Sequence, residues 1–135
     1  MIVLDSSAAV DYLVRHRDQG DWVADQLHAD GDLHAPHLID VEVVAALRAL
    51  VSHGAISPER GARALESLLG LDLARYPHLP FARRMWSLSA NHSAADAVFI
   101  ALAQALDAPL VTTDAHLARA PNLPVQVRVP PGSNL

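Results

Sequence analysis

The chain has 135 residues, 51% apolar and 19% charged, with no cysteine and a formal charge of −5. That size and composition suit one domain over residues 1–135 with a sizeable core, and they exclude a disordered chain. The missing cysteines exclude disulfides, zinc ribbons and thiol catalysis, and the acidic balance excludes a broad basic surface that coats nucleic acid. No run approaches the length of a membrane span and the start lacks a signal-peptide pattern, so a cytoplasmic protein is expected. All ten basic residues are arginines, so the lysine that a P-loop uses is absent.

Ile2 to Leu4 is a short apolar run ending at Asp5, the pattern of a buried parallel strand. A helix is predicted from Ser6 to Val14, with Asp5 or Ser6 as its N-cap. Arg15 to Gly20 reads as a polar loop before a second helix over Asp21 to Ala29, and Asp32 to Ala35 as a strand stopped by Pro36. In the helix predicted from Leu38 to Val51, Ile39, Val43, Ala46, Leu47 and Leu50 form one apolar stripe, with Glu42 on its flank. The opposite face carries Val41, Val44 and Val51 around Arg48, so it too is apolar.

Ser57-Pro58-Glu59 opens a helix that ends near Gly70, with a cap and a proline in its first turn. A strand over 71–75 follows, then breaks at Pro77 and Pro80 and a helix from Phe81 to about Ala90. Ser93 opens the most apolar helix, Ala94 to Leu106, in which only Asp96 and Gln104 are polar. Pro109 to Val111 is a strand leading into Thr112-Thr113-Asp114. A short helix to about Arg119, a last strand over Val125 to Val129 and a tail from Pro130 to Leu135 complete the chain. Strands alternating with helices predict a mainly parallel sheet in a three-layer α/β/α arrangement. Ligands bind such sheets beyond the carboxyl ends of the strands, where Asp5 and Asp114 lie.

Each acid has a structural alternative. Asp5 and Asp114 can cap the helices they precede, and Ser93-Ala94-Ala95-Asp96 is a capping-box pattern. Glu42 has no arginine at helical-pair spacing, so a structural role would need a distant partner such as Arg84. Gathered at one sheet edge, the four carboxylates would repel unless a cation neutralised them. Magnesium and manganese prefer such oxygen ligands, and a site of this kind polarises a phosphate and activates water.

Other patterns carry less. His34 and His37 flank Pro36 and read as loop histidines rather than a metal pair. No GxSxG or phosphate-binding glycine fingerprint occurs. Arg15, Arg17, Arg83 and Arg84 are candidates for RNA phosphate contacts or for solvated surface, and Trp22 and Trp86 for core or interface.

Four segments taken in order, IVLDSSA, PHLIDVEVVAAL, SAADAVFIALAQAL and PLVTTDAHLA, resemble the four acidic blocks of PIN-domain ribonucleases, most of all VapC-type toxins. The resemblance implies a PIN-like fold and a metal-dependent endoribonuclease, the toxin of a type II toxin–antitoxin pair. It places Asp5, Glu42 and Asp96 on a principal Mg2+ or Mn2+ ion, directly or through water, and makes Asp114 the acid that completes the cluster. Ser6 and Thr112 would be supporting hydroxyls. Many relatives carry a further acid or Asn soon after the fourth aspartate, whereas here Ala115-His116-Leu117 follows. The resemblance also implies an RNA substrate, a cognate antitoxin lying in an apolar groove, a homodimer and no membrane. The face at Val41, Val44 and Val51 suits either protein contact. The rival readings are a non-catalytic PIN-like interaction module and an RNA-maturation nuclease without an antitoxin.

Overall fold

A computed structural model describes residues 1–15 and 17–132. The end of the predicted tail, and the side chain of Arg17 named as an RNA contact, lie outside the described residues. Five strands form one sheet: β1 (Ile2–Leu4), β2 (Leu33–Pro36), β3 (Leu73–Tyr76), β4 (Leu110–Val111) and β5 (Val127–Arg128). Their order is β3-β2-β1-β4-β5 and every pairing is parallel. Among the described residues seven helices flank the sheet in the expected α/β/α arrangement: α1 (Ser6–Val14), α2 (Arg17–Ala29), α3 (Leu38–Ser52), α4 (Pro58–Leu69), α5 (Ala82–Ser87), α6 (Ala94–Leu106) and α7 (Ala115–Ala118).

The central position of β1 follows from its composition. Ile2, Val3 and Leu4 are all fully buried, as a strand covered on both faces requires. Val3 registers with His34 on one side and Leu110 on the other. The α6 helix packs across β1, β2 and β4, and the seven residues from Ala97 to Ala103 are all buried. No helix among the described residues is long and apolar enough to cross a membrane.

Three boundaries differ from the sequence expectation. The stretch read as a loop to Gly20 is already helical from Arg17, because Gly20 lets α2 approach α1 closely. A Cβ at Gly20 would lie 2.5 Å from the Asp11 carbonyl oxygen and 2.9 Å from the Arg15 Cα. Arg15 makes the turn possible with a left-handed φ of 50°, its N–H capping the Asp11 and Tyr12 carbonyls. Pro36 belongs to β2 rather than ending it. It pairs with Tyr76, beyond the residues of β2 that register with β1, and the following His37 N–H bonds to the Tyr76 carbonyl at 2.8 Å. The α5 helix is only Ala82–Ser87, after a 3-10 turn at Leu79–Phe81.

One side-chain expectation also changes, and one is narrowed. His34 is not a loop residue. It is buried in β2, between Tyr76 Oη at 2.6 Å and Asp32 Oδ1 at 2.8 Å. Trp22 is partly buried against the core as expected, but Trp86 is 81% exposed and is no core residue.

Candidate active site

The sheet order dictates where the acids meet. Asp5 follows β1 and Asp114 lies three residues after β4, its neighbour, so both arrive at the same carboxyl edge. The β2 strand, on the other side of β1, leads into α3 and hence to Glu42 in its second turn. Asp96 is the third residue of α6, the helix that packs across these strands. The result is a cleft of about 190 Å³ lined by Asp5, Ser6, Ser7, Glu42, Asp96, Phe99, Asp114 and Leu117. All four acids singled out in the sequence are therefore brought together.

The buried member is Asp5. It is the N-cap of α1, with Oδ1 accepting from the Ala8 N–H at 3.0 Å and from Ser7 Oγ at 2.7 Å. Its Oδ2 accepts from the fully buried Thr112 hydroxyl at 2.6 Å. Burial raises its pKa from 3.8 to about 6; the bonds from Ala8, Thr112 and Ser7 pull it down, and the negative charge of Asp114 adds a smaller upward push. Capping and a place in the cleft, which the sequence offered as alternatives, coexist in this one side chain.

Thr112 joins two of the acids. Its Oγ1 donates to Asp5 and accepts the Asp114 N–H at 3.0 Å. Asp114 caps α7, with Oδ1 accepting from His116 at 2.9 Å and from Leu117 at 3.4 Å. Ser6 Oγ donates to Glu42 Oε1 at 2.6 Å. A structural pairing of Glu42 with Arg84 does not form, since Arg84 is held by Gln104 and Ser87. Half of the capping box is present at Asp96, whose N–H donates to Ser93 Oγ at 3.1 Å. No return bond from the Asp96 carboxylate to Ser93 forms among the described residues, and that carboxylate lines the cleft.

Ser7 was missed in the sequence. It donates to Asp5, accepts the Thr113 N–H at 3.2 Å and lies 3.2 Å from Thr112 Oγ1, so it ties β1 to the segment after β4. The signal was available: a hydroxyl two residues after a capping aspartate is placed to bond back to it.

The donor set fits a hard divalent cation. Four carboxylates face one small cleft, and at Asp5 both burial and a neighbouring carboxylate disfavour the charged form. Among the described residues no group of three or more Asp, Glu or His side chains is placed to hold an ion directly. Magnesium is commonly bound through one or two carboxylates with water completing its shell, so the two observations agree.

The PIN domain family profile matches residues 2–123. The chain belongs to the PIN-domain family, among the VapC ribonucleases. It is 42% identical over 118 residues to a VapC ribonuclease of Mycobacterium bovis, covering 87% of this chain and 89% of that protein. It is 41% identical over 128 residues to ribonuclease VapC1 of Mycobacterium tuberculosis, covering 94% and 96%. The fold is that of the VapBC2 structure from Rickettsia felis bound to a DNA fragment from its promoter, with a TM-score of 0.66, 16% identity and 96% and 98% of the two chains covered. It is also that of Mycobacterium tuberculosis VapC20, a sarcin–ricin-loop-cleaving toxin, with a TM-score of 0.66, 12% identity and 87% and 93% covered.

Proposed function

We propose that the chain is an Mg2+- or Mn2+-dependent endoribonuclease and the toxin of a toxin–antitoxin pair. The observation that carries this reading is the convergence of Asp5, Glu42, Asp96 and Asp114, from four separate elements, on one cleft in a chain about 40% identical to VapC ribonucleases.

Asp5, Glu42 and Asp96 are the residues assigned to the metal, directly or through water. When bound, the ion neutralises the acids, polarises the phosphate and lowers the pKa of a coordinated water. The chain's own groups supply orientation. Thr112 and Ser7 fix the Asp5 carboxylate from two sides, and Ser6 fixes Glu42. Asp114 has Oδ1 committed to the α7 N–H groups, which leaves Oδ2 to orient a water and accept its proton. Phe99 and Leu117 add apolar side chains to the lining of the cleft.

RNA cleavage by the purified chain is expected with Mg2+ or Mn2+ and is expected to stop in excess EDTA. Undiminished cleavage in EDTA overturns the metal assignment.

The antitoxin is assigned to the groove between α3 and α4. Val41 and Val44 are 67% and 48% exposed, as expected for the outer face of α3, whereas Val51 is half-buried because it packs on Gly61 of α4. Val44, Leu47, Arg48, Val51, Pro58 and Leu65 line a groove of about 270 Å³. Val44→Asp leaves the isolated fold intact, since Val44 is half exposed, and weakens assembly with a cognate antitoxin by desolvating a charge. Light scattering after size exclusion, with and without that protein, measures this. Loss of self-association alone would assign the groove to a homodimer.

A further inference from the structure

A second concavity shares helices α3 and α6 with the acid cleft. Its volume is about 300 Å³ and it is lined by Leu38, His78, Met85, Ala94, Ala95 and Val98. Helices α3 and α6 contribute residues to both spaces. Leu38 stands one turn before Glu42 on α3, and residues four apart share a helix face. Ala94 and Ala95 immediately precede Asp96 on α6, and Val98 precedes Phe99, which lines the acid cleft. A polynucleotide whose phosphate lies on the acids therefore has this pocket as its next neighbour along the two helices.

We propose that the pocket receives the nucleobase flanking the scissile phosphate and so sets sequence preference; this rests on the ribonuclease reading above. The chemistry of the walls matches a base. Single-stranded RNA is recognised by bases taken out of their stack, held between flat or apolar side chains and read at one polar edge. Five of the six lining residues are apolar and the sixth, His78, has a planar ring. That ring makes no hydrogen bond among the described residues, so its two nitrogens can read a base edge. The volume lies at the lower end of small-ligand pockets, roughly 300–1,000 Å³, so it takes one base rather than a stacked pair.

Ala94 is exposed at the first position of α6, so Ala94→Phe fills the pocket from outside without disturbing the core. His78→Ala removes the reading edge. The four nucleoside monophosphates, titrated into isotope-labelled full chain in Mg2+, are expected to shift the Ala94, Ala95 and Val98 resonances. One base should bind best, and each variant should weaken it about fivefold or more. In parallel, cleavage of a randomised single-stranded RNA pool is expected to show a base preference beside the cut that both variants flatten. Wild-type cleavage with a pattern and nucleotide binding unchanged in both variants overturns the proposal. So does a change confined to oligomeric state, which would make the pocket a contact between copies. Nucleotide binding at these residues without any cleavage leaves the pocket standing and sinks the ribonuclease reading instead.

Discussion

The two halves of the acid cleft are built differently. On the side of the strand ends, Asp5, Ser7, Thr112 and Asp114 form a closed hydrogen-bond network in which every acid also caps a helix. On the helical side, Glu42 is held by the Ser6 hydroxyl and Asp96 by its backbone alone. Half of the site is thus inseparable from the fold, while the other half is displayed by helices that do not need it. A static cluster of acids conceals this asymmetry, and substitution exposes it.

The largest contrast is expected between Asp5→Asn and Asp96→Asn. Loss of an outer-shell partner costs metal sites about 10–100-fold, so losing either acid should reduce cleavage by about 100-fold or more. Their stabilities should diverge. Because the folded chain raises the Asp5 pKa from 3.8 to about 6, the native state holds this proton more tightly than the unfolded chain does. The resulting stabilisation is complete below about pH 4 and is lost as pH rises through about 6, a change on the order of 3 kcal/mol in metal-free protein. Asp5→Asn keeps the cap and should flatten that slope in urea melts from pH 4 to 7, and Mg2+ should stabilise wild type more at pH 7 than at pH 5. Asp96→Asn should retain the slope and change stability by less than about 1 kcal/mol. A slope unchanged by Asp5→Asn would assign it to another group.

A smaller effect, on both activity and stability, is expected from Thr112→Val. The substitution keeps the shape of the side chain and removes the donor to Asp5 and the acceptor for the Asp114 N–H. Stability should fall by about 1–3 kcal/mol through unsatisfied buried groups, and cleavage by about 10–100-fold. Thermal melts run beside RNA assays separate the two. Full activity with reduced stability would make Thr112 purely structural and erase the distinction between the two halves.

The strands and long helices were legible in the sequence because their patterns are local. The α1 and α6 spans follow directly from an apolar run and a capping residue. The acids could be placed at one edge because two of them end strands that alternate with helices. What escaped depended on contacts between distant segments. Gly20 reads as a loop signal until its close approach to α1 is known. His34 reads as a loop histidine until Tyr76 is set beside it. Ser7 looks like any helical serine until Thr112 and Thr113 return to it from across the chain.

The central place of β1 has a consequence for synthesis. Of the five strands β1 comes first in chain order and lies in the middle of the sheet, yet its partner β4 comes at Leu110–Val111. Until that segment has left the ribosome, Asp5 lacks the Thr112 hydroxyl and Asp114 is absent. Domains form as units during translation, and here the unit cannot close its cleft until most of the chain is out. A nascent or prematurely terminated chain thus carries Asp5, Glu42 and Asp96 in order but not the cleft. The cleft therefore forms only after the segment that carries Thr112 and Asp114 has emerged.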